Sequence, residues 1–154
     1  MKKRFSVVIV HRNGADMLLN TLSALTRAWD ATRDELFLVD NASTDDSLER
    51  VDAAFPQAII IRNRCNNGFA RANNQAIARA TGEFILLLNS DAVVAADVLD
   101  RFEADFRRDP RIGVITGQLQ DAAGGLQRSC GSAPTVLNEL GLGFLKKKPV
   151  SIAH

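Results

Sequence analysis

The chain contains few of the residues that characterise secreted, membrane-spanning or nucleic-acid-binding proteins. It has only two cysteines, Cys65 and Cys130, and they lie far apart, so a disulfide framework is not expected and a reducing cytoplasm fits best. No apolar run approaches the length of a transmembrane helix, and the apolar run after the basic amino terminus is too short for a signal peptide. The net charge of +1 provides no strong field for nucleic acid, so no nucleic-acid partner is expected.

The rest of the composition is that of an ordinary soluble globular protein. Apolar residues make up 46% of the chain and charged residues 24%. A chain of 154 residues is long enough to bury a hydrophobic core. We therefore expect one domain, or one domain with a short tail.

Apolar segments with two different periodicities alternate along the chain. Short apolar runs predict five strands, at about residues 5–10, 35–39, 58–61, 84–88 and 112–116. Apolar residues at helical spacing predict helices at about 15–28, after Asp45-Asp46, at 69–80 and at 95–107. This alternation predicts a three-layer α/β/α fold with a mostly parallel, Rossmann-like sheet.

Polar residues and glycines beside these segments predict where the helices begin and end. Asn13 or Asp16 is placed to cap the first helix. Asp45 and Asp46 are expected to complement the dipole of the second helix as acids of its first turn. Gly82 is the expected stop signal of the third helix.

The run Phe84–Leu88 is the most apolar segment, and a polar cluster follows it directly. An unbroken run of this kind favours a strand that is buried on both faces in the middle of a parallel sheet. Asn89, Ser90 and Asp91 would then lie at the carboxyl end of that strand, where open α/β sheets bind ligands. A carboxylate there can hold a divalent cation, and the cation can hold a diphosphate, although Asp91 as a helix cap is the alternative.

Two further polar clusters, His11-Arg12 and Asp40-Asn41, follow strands, so the sheet is expected to gather three clusters at one edge. Asp40 can accept hydrogen bonds from a ribose or a nucleobase imide, and a capping or turn role is the alternative. Asn67 and Gly68 open a helix whose amino end attracts anions, and a simple cap is equally compatible with them. Asn73 lies on an otherwise apolar helix face and would either reach the site or satisfy a buried backbone group. The other members of that face are Phe69, Ala72, Ala76 and Ala80.

Four segments, taken in order, resemble family 2 glycosyltransferases, closest to the rhamnosyltransferase-like branch that builds bacterial polysaccharides. They are Val7–Val10 with Asn13-Gly14, Leu38–Asp45, Arg62–Ala70 with Asn73-Asn74, and Leu87–Asp91. The resemblance covers about residues 4–130, and Gly117–Ser129 also resembles that branch. It implies a nucleotide-sugar-binding fold of the GT-A type, apparently truncated.

The resemblance also implies roles for individual residues. Asp91 matches the last acid of the family's DxD-type metal motif, which implies Mg²⁺ or Mn²⁺ as cofactor. The residues implied to bind the nucleotide sugar are Asp40, Asn41, Asn67, Gly68, Asn73 and Ser90. Family members transfer a sugar from a UDP- or dTDP-sugar to a polysaccharide, lipid or protein acceptor with inversion, using a carboxylate base and metal-assisted departure of the diphosphate.

The sequence departs from the family pattern in two places. His11-Arg12-Asn13 replaces the Asn-Tyr-Asn type sequence after the first strand, which puts contacts to the nucleobase at this loop in doubt. The acidic motif that carries the catalytic base normally lies beyond residue 154, and Asp121 and Glu139 are the only acids after residue 120. We therefore assign no base, and we predict a nucleotide-sugar-binding domain at 1–130 followed by a partial acceptor-side segment and tail at 131–154.

Three hypotheses of different classes follow. The first is the donor-binding part of a glycosyltransferase. The second is a non-catalytic nucleotide-binding or assembly module on the same fold, completed by a partner chain or by a second copy in a homodimer. The third is a different nucleotide enzyme, of which a dehydrogenase is disfavoured because no G-x-G-x-x-G follows the first strand, and a kinase-like phosphate loop is absent too. Membrane contact is at most peripheral, at the inner face, through a helix at 134–145 and Lys146–Lys148, and a solvated basic tail is favoured over it because three lysines are few for surface binding.

Overall fold

The computed structural model describes residues 2–121 and 124–127. The chain divides into two compact units, Met1–Gly113 and Val114–His154, which are described separately. The elements of the first unit are β1 (Phe5–His11), α1 (Ala15–Leu25), β2 (Glu35–Asp40), α2 (Ser47–Ala54), β3 (Ile59–Arg62), α3 (Phe69–Ile77), β4 (Phe84–Asn89) and α4 (Val98–Arg108). The predicted alternation is confirmed, and the element bounds agree to within about three residues. No helix in the described part of the chain is long and apolar enough to cross a membrane.

The four strands form one parallel sheet in the order β3-β2-β1-β4. Strand β1 pairs with β2 on one side and with β4 on the other, so it lies at the centre. Its residues are buried except for Val10, which is half-buried. The chain moves outward through β2 and β3 and then returns to the free side of β1, and this reversal places α1 and α2 on one face and α3 on the other, as crossovers of one hand require.

Alternate side chains of the strands point to opposite faces of the sheet, and each face has its own core. The larger core lies against α1, α2 and α4, and its buried members are Phe5, Val7, Ile9, Leu18, Leu22, Leu25, Leu36, Leu38, Val51, Phe55, Leu88 and Leu99. The smaller core lies against α3, and its buried members are Val8, Phe37, Val39, Ala72 and Ala76. These two cores give the predicted three layers. Phe69 does not join the second core, because its side chain is 60% exposed.

Strand β4 lies at the edge of the described sheet, so the prediction that Phe84–Leu88 forms a central strand buried on both faces is wrong. Leu88 is buried against the larger core, whereas Ile85 and Leu87 are 44% and 47% exposed on the other face. The reason is that α3 packs mainly on β1 and β2 and leaves that face of β4 uncovered. An apolar run indicates that a strand is suited to burial, but not which part of the protein covers it.

The predicted strand at 112–116 is also wrong, because these residues adopt neither helix nor strand in the structure. A strand needs a neighbour for its backbone hydrogen bonds, and Val114, at the centre of the run, is 88% exposed. In the second unit, Gln120 and Leu126 form an antiparallel bridge, and the Gly124 amide donates to the Asp121 carbonyl at 2.9 Å, which closes a turn. The predicted boundary at 130, the helix from Pro134 and the tail at 146–149 lie outside the described residues and stay predictions.

Two predicted helix signals act differently from the prediction. Neither Asn13 nor Asp16 caps α1. Its amino-terminal cap residue is Gly14, whose amide donates to the carboxylate of Asp45 at 2.7 Å. Gly82 does not stop α3, which ends at Ile77. Instead a Cβ at Gly82 would lie 2.5 Å from the backbone nitrogen of Ser6, so the glycine allows close approach of the chain to β1.

The amino edge of the sheet is closed by an ion-pair network around Arg4. The Arg4 guanidinium donates two parallel hydrogen bonds to Asp34, at 2.9 and 2.8 Å, and further bonds to Asp100 at 2.5 Å and Glu103 at 3.3 Å. The side chains of Arg4 and Asp34 are 7% and 0% exposed. The bond to Asp34 is the main cause that raises the pKa of Arg4 above its ordinary value.

Candidate functional site

The carboxyl edge of the sheet gathers the three polar clusters that the sequence predicted would meet. His11 at the end of β1 lies opposite Asp40 at the end of β2 in the strand register. Val10 lies opposite Asn89 at the end of β4, so the cluster that contains Asp91 begins next to β1. Because all strands are parallel, these groups share one edge, and that edge is the candidate site.

Asp40 is held by two interlocked loops. Its side chain is 4% exposed, and its Oδ1 accepts a hydrogen bond from the Ser43 amide at 3.1 Å. The Ser43 hydroxyl oxygen in turn accepts from the Asn13 amide at 3.0 Å, and Oδ1 of Asn13 accepts from the Thr44 amide at 2.8 Å. Asn13 and Ala42 both have positive φ, 58° and 65°, which is the turn geometry that lets the loops meet. The orientation of Asp40 therefore depends on the β1–α1 loop as well as on its own.

Asp45 joins the amino ends of two helices. Its carboxylate accepts from the Gly14 amide at the start of α1 and from the Ser47 amide at the start of α2, at 2.7 and 3.2 Å. It also accepts a short hydrogen bond from the Ser47 hydroxyl. The Ser47 hydroxyl is the largest cause that lowers the pKa of Asp45 to about 2, with the backbone amides adding to it. The prediction that Asp45 and Asp46 lie in the first turn of α2 is wrong, because Asp46 is the residue that caps the helix, Asp45 precedes it, and the acid of the first turn is Glu49. Asp45 instead joins the starts of α1 and α2 through these hydrogen bonds.

His11 is buried beside Asp45 and Ser47, with 2% of its surface exposed. Its Nε2 lies 3.0 Å from the Ser47 hydroxyl. Because that hydroxyl donates to Asp45, His11 donates from Nε2, and Nδ1 is left as an acceptor. Nδ1 is buried and has no hydrogen-bond partner in the described part of the chain. Burial is the largest cause of the lowered pKa of His11, and the charges of Asp45 and Asp40 oppose it.

The start of α3 lies beside the end of β2. The backbone amide of Asn67 donates a hydrogen bond to Oδ1 of Asn41 at 2.9 Å. Gly68, with φ of 73°, precedes the first helical residue. Asn41 is 4% exposed and Asn73 is 3% exposed. The Asn73 side chain donates to the Phe69 carbonyl at 3.0 Å, so it satisfies a backbone group of its own helix.

The turn after β4 presents Asp91 to solvent. The Ala92 amide donates to the Asn89 carbonyl at 3.2 Å and closes the turn. Asn89 and Asp91 are exposed and Ser90 is half-buried. Among the described residues Asp91 takes part in no ion pair. The carboxylate is therefore available to a ligand.

Thr21 of α1, which the sequence analysis did not single out, anchors this turn. Its hydroxyl donates to the Ser90 carbonyl at 3.0 Å, and the side chain is buried. The signal that could have found it is a hydroxyl on the apolar face of α1, between Leu18 and Leu25. A buried hydroxyl needs a hydrogen-bond partner, and here the partner is the loop that carries Asp91.

The residues at this edge fit a cation that arrives with its own ligands. Within residues 2–121 and 124–127, no group of three His, Cys, Asp or Glu side chains is placed to hold a metal ion. Mg²⁺, however, commonly takes one or two protein carboxylates and completes its shell with substrate phosphates and water. One exposed carboxylate at Asp91 meets that requirement.

A parallel α/β sheet with its polar groups at the carboxyl edge defines the class of nucleotide-binding α/β proteins. The comparisons narrow this class. The chain belongs to glycosyl transferase family 2, whose family model matches residues 6–144. The predicted family is confirmed.

Several known proteins resemble the chain. It is 29% identical over 126 residues to poly(ribitol-phosphate) beta-glucosyltransferase of Bacillus spizizenii, covering 79% of this chain and 20% of the relative. It is 27% identical over 107 residues to poly-beta-1,6-N-acetyl-D-glucosamine synthase of Staphylococcus aureus, covering 68% and 26%. The chain therefore spans between a fifth and about a quarter of the length of these curated relatives.

Solved structures share the fold, which confirms the GT-A type. S. aureus TarS 1–349 in complex with UDP-GlcNAc matches with a TM-score of 0.64 and 26% identity, over 68% of this chain and 31% of that one. The mannosyltransferase PcManGT of Pyrobaculum calidifontis, in complex with GDP-Man and Mn²⁺, matches with a TM-score of 0.63 and 24% identity, over 73% and 34%. At that identity the second likeness shows the fold alone.

Proposed function

We propose that the chain is the donor-binding part of an inverting glycosyltransferase, which moves a sugar from a UDP- or dTDP-sugar to a polysaccharide, lipid or protein acceptor. The observation that carries this proposal is the meeting of Asp40, the start of α3 and Asp91 at one carboxyl edge in a chain of family 2. TarS, a neighbour with the same fold, is seen with UDP-GlcNAc, which supports a uridine nucleotide as the donor.

The nucleoside end of the donor is assigned to the side of β2 and α3. Asp40 would accept hydrogen bonds from the ribose or the base imide, since its carboxylate is fixed by the Ser43 amide. Asn67 and Gly68 lie where the amino end of α3 favours a negative group. Asn73 stands one turn further along the same helix. Asn41 belongs to this set through the loop that it contacts.

The diphosphate end is assigned to the turn after β4. Asp91 would hold Mg²⁺ or Mn²⁺, with Ser90 beside it and the turn anchored by Thr21. The cation, when bound, would stabilise the negative charge that develops on the departing diphosphate. The carboxylate is exposed at the edge, so it is open to such a cation.

The catalytic base stays unassigned. Asp121 lies in the turn of the second unit, where its carboxylate accepts from the Gly125 amide at 2.7 Å, and Glu139 lies outside the described residues. The acceptor, the transferred sugar and the cytoplasmic location, with at most peripheral contact at the inner membrane face, also stay predictions. Cell fractionation of the tagged chain would test the location.

Calorimetric titration with UDP, dTDP and GDP, each with and without Mn²⁺, tests the proposal. We expect one nucleotide per chain, with UDP or dTDP preferred and with affinity at least tenfold higher when Mn²⁺ is present, because the cation joins Asp91 to the diphosphate. The absence of binding in every pairing, with a folded protein confirmed by circular dichroism, would contradict it.

A second candidate function is a non-catalytic assembly module, and the exposure of Ile85 and Leu87 favours it. The two side chains lie next to each other on a strand at the edge of the described sheet, a feature that native proteins usually protect. A homodimer or a partner chain seated there would cover them. Light scattering would count against this candidate if it shows a monomer at all concentrations and the same mass for Leu87→Lys.

A further inference from the structure

The side chain of Asn41, at the carboxyl end of β2, has no free hydrogen-bonding capacity. Its Oδ1 accepts from the Asn67 amide at 2.9 Å and from Nδ2 of Asn63 at 3.2 Å. Its Nδ2 donates to Oδ1 of Asn66 at 2.7 Å and to the Gly68 carbonyl at 3.4 Å. A carboxamide offers two lone pairs and two N–H groups, and here all four are engaged. A ligand therefore has nothing to bind there without displacing the loop.

The orientation of this amide is fixed by backbone groups of unambiguous chemistry. The Asn67 N–H can only donate and the Gly68 carbonyl can only accept, so Oδ1 and Nδ2 of Asn41 are not interchangeable. Asn66 completes the arrangement, since its Oδ1 also accepts from the Gly68 amide at 2.9 Å. The loop from Asn63 to Gly68 is therefore closed around one buried amide.

The same network continues into α3. Asn63 and Gln75 exchange two side-chain hydrogen bonds, both at 2.9 Å, and Gln75 lies in the second half of the helix. The Asn63 amide donates to the Asp40 carbonyl at 2.9 Å. Asn41 thus connects the end of β2 to the loop and, through Asn63, to the helix that follows the loop.

We propose that Asn41 is a positioning residue, which fixes the 63–68 loop and the amino end of α3 and so sets nucleotide affinity without touching the nucleotide. The part of this inference that concerns nucleotide affinity rests on the proposed function. It assigns to Asn41 a role different from that of Asp40, its neighbour in the chain, whose carboxylate would contact the donor.

The test compares Asn41→Ala with Val51→Ala, a control that removes buried volume from α2 on the opposite side of the sheet. Amide hydrogen exchange is measured without nucleotide, and UDP affinity with Mn²⁺ is measured at a temperature where both variants are folded. For Asn41→Ala we expect exchange at residues 63–72 to accelerate at least tenfold and UDP affinity to fall about tenfold, because a buried network loses its central member. For Val51→Ala we expect neither change.

Asn41→Asp separates positioning from direct contact. A carboxylate can still accept from Asn67 and Asn63, but it cannot donate to Asn66 or to the Gly68 carbonyl. If Asn41 positions the loop through all four hydrogen bonds, Asn41→Asp should accelerate exchange in the 63–68 loop and lower UDP affinity, as Asn41→Ala does. If Asn41→Asp binds UDP as tightly as the unmodified chain, or if either variant loses affinity while the loop exchanges at its original rate, the inference is wrong.

The outcome also distinguishes this inference from the proposed function. If the unmodified chain binds no nucleotide, the proposed function fails and the positioning of a nucleotide fails with it, whereas the exchange rates still report whether Asn41 fixes the loop. If the unmodified chain binds UDP and Asn41→Ala binds equally well, only the inference about Asn41 fails.

Discussion

Both edges of the sheet carry polar and charged groups, but the two edges use them differently. At the amino edge, Arg4 is surrounded by three carboxylates, and a shallow cavity of about 230 Å³ is lined by cations such as Arg33 and Arg107 that are themselves paired with acids. At the carboxyl edge, Asp91 takes part in no ion pair among the described residues, and Nδ1 of His11 is buried without a partner. The first edge is internally satisfied, whereas the second retains capacity for a ligand.

This difference teaches that a structural cluster is distinguished from a binding site by whether its polar groups are already paired within the protein, rather than by how many charges it holds. A buried ion pair that is complete contributes to holding the chain together and has little to offer a ligand. Available acceptors at the end of a parallel strand are what a sugar nucleotide and its cation require. Substitutions at the two edges should therefore change different properties of the protein, stability at one edge and binding at the other.

The largest effect is expected at the amino edge. Arg4→Met should lower the free energy of unfolding by about 3–5 kcal/mol, because it leaves the buried carboxylate of Asp34 without its counter-charge. Urea unfolding followed by circular dichroism measures the loss. UDP affinity, measured on the folded fraction, should stay the same. A variant that is stable but binds poorly would break the proposed separation of the two edges.

The next effect is expected at Asp91. Asp91→Asn should weaken Mn²⁺-dependent UDP binding by an order of magnitude or more, since the cation loses its one charged protein ligand. The free energy of unfolding should change by no more than about 0.5 kcal/mol, because the residue is exposed. Asp105→Asn on α4 removes the same charge from the surface and serves as the control in calorimetry. Equal affinity in all three proteins would remove Asp91 from the site.

Asp40→Ala tests whether the nucleoside and the diphosphate bind to different parts of the carboxyl edge. It should weaken UDP binding about five- to tenfold both with and without Mn²⁺, because the lost contacts are to the nucleoside rather than to the cation. Titrations at matched Mn²⁺ concentrations measure this. An affinity loss confined to the metal-containing titration would place Asp40 with the diphosphate instead.

The smallest effect concerns the pH dependence of stability. Because the pKa of His11 is lowered on folding, chiefly by burial, the unfolded chain binds its proton more readily. The contribution of His11 to the free energy of unfolding is thus fully present above its unfolded pKa of about 6.5. It is lost as the pH falls through that value toward the folded pKa. The slope of the free energy of unfolding from this residue is at most about 1.4 kcal/mol per pH unit. Urea unfolding of His11→Asn between pH 7 and 5 should show a shallower slope, whereas an unchanged slope would show that His11 does not titrate in this way.

The fold was predictable because its determinants are local. The β-branched and apolar runs at Phe5–His11 and Glu35–Asp40, followed by helices with apolar faces, fix a parallel α/β sheet. The grouping of His11, Asp40 and Asn89 follows from that topology alone. The family resemblance then added the roles that spacing could not provide.

The errors concern features that depend on distant parts of the chain. Phe84–Leu88 has the composition of a central strand, but the position of α3 decides how much of it is covered. The acceptor for the amide of Gly14, the cap residue of α1, is Asp45, about thirty residues away, so no local pattern around Asn13 indicates it. Gly82 resembles a helix stop signal, yet its requirement for glycine comes from the backbone of Ser6.

The location of the bound nucleotide tests the central claim most directly. We would record amide chemical shifts of the ¹⁵N-labelled chain during titration with UDP and Mg²⁺, a diamagnetic cation that leaves the signals visible. The account predicts saturable shifts at the ends of β1, β2 and β4 and at the start of α3, with none around Arg4 and Asp34. Shifts centred on the amino edge, or no shift in a folded chain at saturating UDP, would contradict it.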